Sequence, residues 1–210
     1  MTNALRALQD LGIDIDDGIV ERLKQELAGD DMPDIWRILV RARLSDECFL
    51  TYSMLQLAGM GNYDEETGEW TPTSHKVYSF DAEFYDIGHM YTLFLQGVQA
   101  IVPDVEITDI QEDLSHMTDT VKWPYTPDSP PVNGTRSVSF ACNGHPYSVT
   151  LPSWLDWINT DIIPFMNDVL EKEGCPGRLY VVSDDLDQIV IMIYGAEAQA
   201  DALRPYATDK

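Results

Sequence analysis

The stretch RSVSFACNGHPYSVTL constrains the fold more than any other part of the chain. Val138, Phe140 and Cys142 alternate with small or polar residues up to Asn143-Gly144, and Tyr147, Val149 and Leu151 alternate away from it. A period of two is that of a strand with one packed face, and Asn-Gly supplies the two positive-φ residues that a two-residue turn needs. The pattern predicts an antiparallel hairpin.

Other elements are placed around it by their own periodicities. Leu5, Leu8 and Leu11 space a first helix, and Ile19, Val20, Leu23 and Leu27 a second, with Asp16 and Asp17 at its positive dipole end. A third helical segment covers about 34–57, and GMGNYDEETGEWTPTS after it reads as a loop. KVYSFDAEF alternates as a strand, Met90, Leu93, Phe94, Val98 and Ile101 have helical spacing up to Pro103, and a strand is expected at 105–112. The segment 115–135, with four prolines beside Trp123 and Tyr125, is irregular, and loops of that length tend to carry function. A helix over 153–173, with Pro164 as a possible kink and Trp154 and Trp157 sharing one face, precedes strands at 178–183 and 188–194 and a short final helix.

Strand, helix, strand, strand thus occurs twice, beginning near Val77 and near Tyr147. The expected fold is α+β: N-terminal helices, then a mixed β-sheet built from two strand-helix-strand-strand units, with helices packed on the sheet. Residues 1–58 are read as a helical region packed on the remainder and 59–210 as the α+β domain, together one compact unit. A right-handed crossover would lay 77–83 parallel to 105–112.

The charge then limits what such a fold can bind. The 210 residues hold 36 Asp and Glu against 13 Lys and Arg, a net charge of -23, while the 44% apolar content is that of a globular chain. A surface of this sign repels phosphates and anionic headgroups, so nucleic acid and membrane are not expected partners. The beginning of the chain has no secretory h-region, no run approaches a membrane span, and Cys48, Cys142 and Cys175 are odd in number without a CxxC pair. A cytoplasmic setting is expected.

No complete catalytic or cofactor signature is present, so no catalytic residue and no cofactor are assigned. Cys175 follows a helix C-terminus beside Glu171 and Glu173, which disfavours a thiolate. The loop at 62–69 is oxygen-rich but lacks the spacing of a calcium loop. There is no GxSxG elbow and no glycine-rich phosphate loop. An alternative is a metal-binding protein or metal-dependent enzyme using the central Asp, Glu and His residues, with His89, Glu112 and His116 as ligands.

Residues 1–60, 61–120 and 121–210 contribute -5, -12 and -6 to the charge. From Val77 to Val121 there is no Lys or Arg, yet Asp81, Glu83, Asp86, Glu106, Asp109, Glu112 and Asp113 all occur. If 77–83 paired with 105–112, Asp81 and Glu83 would stand beside Asp109 or Glu106 and Glu112 as a ladder, and repulsion of about 1 kcal/mol per close pair in water would have to be retained for a use. The size and charge resemble those of small acidic bacterial immunity proteins, which neutralise basic nuclease toxins; the resemblance is compositional and covers no motif. It implies an inhibitor that docks a basic protein, a double-stranded DNA mimic being a variant on the same electrostatic basis. The expected docking residues are Asp81, Glu83, Asp86, Glu106, Asp109, Glu112, Asp113, Trp123 and Tyr125. The bland alternative is a housekeeping protein whose acidic surface only keeps it soluble.

Overall fold

The computed structural model describes residues 8, 9, 12, 13 and 18 and the stretches 47–64, 69–84, 86–118, 133–184 and 188–205. Along these run α1 (Glu47–Met60), β1 (Asn62–Asp64), β2 (Glu69–Thr71), β3 (Val77–Asp81), α2 (Met90–Ile101), β4 (Ile107–Asp113), β5 (Thr135–Cys142), β6 (His145–Pro152), α3 (Ile162–Lys172), β7 (Arg178–Asp184), β8 (Ile189–Gly195) and α4 (Glu197–Leu203). The fold is α+β, with two three-stranded antiparallel sheets. The helices expected before residue 47, and with them most of the 1–58 region, lie outside the described residues.

The chain divides into two compact units, Met1–Phe80 with Tyr180–Lys210, and Asp81–Leu179. In the first, the strand order is β3-β8-β7. Val190 to Ile193 of β8 and Val77 to Phe80 of β3 are buried without alternation, as strands covered on both faces are. Helix α1 packs on β8. Met54, Leu55 and Ala58 of α1 share a core with Val182, Ile191, Ile193, Ala200 and Leu203. Gly59 permits a close approach: a Cβ there would run into the backbone of Tyr78 and Ser79, and Ser79 Oγ donates to the Gln56 carbonyl of the same helix at 2.6 Å. Within the stretch read as a loop, β1 and β2 pair antiparallel, and the Trp70 indole donates to the Met60 carbonyl at 2.7 Å.

In the second unit the sheet order is β4-β5-β6. The predicted hairpin is present, with Cys142 opposite His145 and both turn residues at positive φ, Asn143 at 50° and Gly144 at 81°. Arg136, Val138, Phe140 and Cys142 point inward along β5, while Ser137, Ser139 and Ala141 are part-exposed. Helix α2 packs on β4 and α3 on β6. Met90, Tyr91, Phe94, Leu95 and Val98 of α2 and Ile162, Ile163, Met166, Val169 and Leu170 of α3 are buried.

Three expectations are corrected. The strands near 77 and 105 do not pair: β3 lies in the first sheet and β4 runs antiparallel to β5. A parallel pair would bury both faces of β4, whose sequence ITDIQED is too polar for that, whereas the edge of a one-faced antiparallel sheet accepts it. The order strand, helix, strand, strand does occur twice, from β3 to β5 and from β6 to β8, but these strands are divided between two three-stranded sheets and do not form the single mixed sheet expected. Helix α3 begins only at Ile162, because Trp154 and Trp157 pair across a tight turn with Leu155 at φ 64° instead of sharing a helical face. Asn159 Oδ1 accepts Asp161 N at 3.0 Å to open the helix, and Pro164 sits in its first turn, where its missing N–H removes no intrahelical hydrogen bond.

Candidate functional site

The predicted docking residues with a described position all belong to the unit Asp81–Leu179, and the strands distribute them rather than gathering them. Asp81, Glu83 and Asp86 stand exposed on the segment before α2. Asp81 Oδ1 accepts Glu83 N at 2.8 Å. Asp86 Oδ1 accepts Gly88 N at 3.0 Å and its Oδ2 meets His89 Nδ1 at 2.9 Å. The hydrogen bond to His89 holds the Asp86 carboxyl below the usual carboxylate range.

Glu106, Asp109 and Asp113 are exposed along β4 and just before it. The hairpin tip holds this segment: Glu106 N donates to Asn143 Oδ1 and Asn143 N to the Glu106 carbonyl, each at 2.9 Å. The pairing of β4 with β5 slips between Thr108 and Gln111, and Asp109 occupies that bulge at φ 53°, a conformation Asp tolerates better than most residues. Asp113, opposite Ser137, accepts Ser115 N at 2.8 Å, and hydrogen bonds from Ser115 hold its carboxyl down. Because β4 faces Ser137, Ser139, Ala141 and Cys142 and not another acidic strand, the expected carboxylate ladder is absent.

Glu112 was expected on the surface, and its side chain is buried instead. Its Oε2 meets Arg136 Nη1 at 3.0 Å with the two side chains 3% and 1% exposed, and its Oε1 accepts Thr92 N at 2.8 Å and Thr92 Oγ1 at 2.9 Å. Thr92 lies in the first turn of α2, whose preceding His89 makes no side-chain cap, so a carboxylate from β4 satisfies the helix end and its positive dipole. Arg136 also donates to the Ile87 carbonyl at 2.6 Å and lies 5.5 Å from the ring centroid of Tyr91. Burial pushes the Tyr91 hydroxyl up to about 12. This network leaves Glu112 without capacity for an external partner.

His89 and His116 are exposed, the first against Asp86, and among the described residues no three His, Cys, Asp or Glu side chains are grouped to hold a metal ion. Trp123 and Tyr125 lie outside the described residues. No helix among those described is long and apolar enough to cross a membrane.

A second polar cluster escaped the sequence reading. Glu173, at the C-terminal end of α3 and 5% exposed, accepts the Tyr147 hydroxyl and meets His145 Nδ1 at 3.0 Å. A carboxylate is unfavourable at the negative end of a helix, and these donors compensate. The Tyr147 bond holds Glu173 below the usual carboxylate range and, with burial, raises Tyr147 to about 12. The free thiols of Cys142 and Cys175 are buried and pushed upward, chiefly by burial, Cys142 to about 11. Compared with known protein families, characterised proteins and solved structures, the chain matches none of them.

Proposed function

We propose that the chain is a cytoplasmic binding protein that docks a basic protein through the acidic surface of residues 81–179, and that an immunity-type inhibitor of a bacterial toxin is the form this takes. The observation that supports the reading is the charge balance of that unit. It holds 15 Asp and Glu against 4 Lys and Arg; of the three cations described, Arg136 is buried against Glu112, Arg178 lies 3.3 Å from Glu171, and Lys172 is exposed at the end of α3. Asp81, Glu83, Asp86, Glu106, Asp109 and Asp113 remain exposed. Such a field accelerates encounter with a basic surface by roughly 10- to 1000-fold at low salt and repels nucleic acid.

Binding of this kind is salt-sensitive, because exposed charges are screened over a Debye length of about 8 Å at physiological ionic strength. Pull-down with the immobilised chain at low and high salt tests it. Basic proteins retained at low salt and released at high salt are expected; a bound set that is neither basic nor salt-sensitive contradicts the reading.

A further inference from the structure

Residues 82–84 and 156–158 make a short antiparallel contact outside the main strands. Ile158 N donates to the Ala82 carbonyl at 2.8 Å, Phe84 N donates to the Asp156 carbonyl at 2.7 Å, and Glu83 stands opposite Trp157. Those two hydrogen bonds flank the Glu83–Trp157 position without using it, so it is the non-hydrogen-bonded kind, where facing side chains come closest and lie on one face. Both residues are exposed, Trp157 at 38%, while most of the large apolar side chains among the described residues are buried. Among the described residues, neither the Glu83 carboxylate nor the Trp157 indole has a side-chain hydrogen bond, an ion pair or a ring partner.

An aromatic face beside a carboxylate, with Asp81 and Asp156 close in the chain and no Lys or Arg between Val77 and Val121, is complementary to one side chain in particular. An arginine guanidinium is planar and weakly hydrated: it lies flat on an indole while its N–H fork reaches a carboxylate. The lysine ammonium is a compact, strongly hydrated point charge that satisfies the carboxylate but gains less from the ring. We infer that Glu83 and Trp157 form a clamp for an arginine of the basic partner. This rests on the proposed docking function and adds to it which cation is preferred and where it sits.

Labelled hexa-arginine and hexa-lysine peptides, titrated into the full chain at low salt, separate the two levels of the argument. The arginine peptide is expected to bind about two- to five-fold more tightly, the range of an exposed cation–π contact. Trp157→Ala is expected to abolish that preference by weakening arginine binding more than lysine binding, and Glu83→Gln, a change at an exposed site, is expected to weaken arginine binding more than lysine binding. If both peptides bind equally, or the preference survives both substitutions, the clamp is wrong and the docking surface stands. If neither peptide binds in a salt-dependent way, the docking surface fails and the clamp with it.

Discussion

Arg136 and Glu112 meet at 3.0 Å inside the second unit, each almost wholly removed from water. Removing one partner strands a buried charge, which typically costs about 3–5 kcal/mol, whereas replacing both with apolar residues of similar volume is often neutral. Arg136→Met alone is therefore expected to lower the unfolding free energy by about that amount, and Arg136→Met with Glu112→Leu to recover part of it. Denaturant unfolding followed by circular dichroism checks both, with Thr92 losing its acceptor as the reason that recovery is incomplete.

The cluster at Glu173 sets two edges of a pH plateau. Glu173 has a folded pKa below its ordinary 4.5, so its contribution is present above 4.5 and lost as pH falls through the lower folded value. Tyr147 is raised from 10.0 to about 12, so its contribution is present below 10 and lost as pH rises toward 12. Tyr147→Phe is expected to weaken both edges. Thermal unfolding from pH 3 to 11, compared between the native chain and this variant, is the measurement.

Asp109 sits at φ 53° in the β4 bulge. Glycine has no Cβ to strain there, so Asp109→Gly is expected to keep the fold and leave stability unchanged or raise it by up to about 1 kcal/mol. Asp109→Val, β-branched, is expected to cost about 1–3 kcal/mol. The difference in melting temperature between the two variants decides the point.

Gly59→Ala would push a methyl group into the backbone of Tyr78 and Ser79 and part α1 from β3. Overpacking of this kind costs about 1–3 kcal/mol. A fall in melting temperature, with hydrogen exchange accelerated at β3, is expected.

Much of the fold was legible because its signals are local. Asn143-Gly144 and the flanking alternation define β5 and β6, and the spacing of Met90 to Ile101 defines α2 before Pro103. Partner choice between strands was not legible, because β3 and β4 belong to different sheets and their connection by a helix suggested a crossover. The buried ion pair left a trace that went unused: Arg136 continues the inward series Val138, Phe140, Cys142, and a cation in such a series needs a buried anion. Glu112 lies opposite Val138 in the register, which only the pairing of β4 with β5 reveals. Asp81, Glu83, Asp86, Glu106, Asp109 and Asp113 are exposed, whereas Glu112 turns inward only because Arg136 is there to pair with it.

The most direct test of the docking account compares the native chain with a variant in which Asp81, Asp86, Asp109 and Asp113 become Asn and Glu83 and Glu106 become Gln, both immobilised and exposed to the same cell extract at low and high salt. The account predicts basic proteins on the native chain at low salt, their release at high salt, and their loss from the variant. Equal retention of the same proteins by both chains would contradict it.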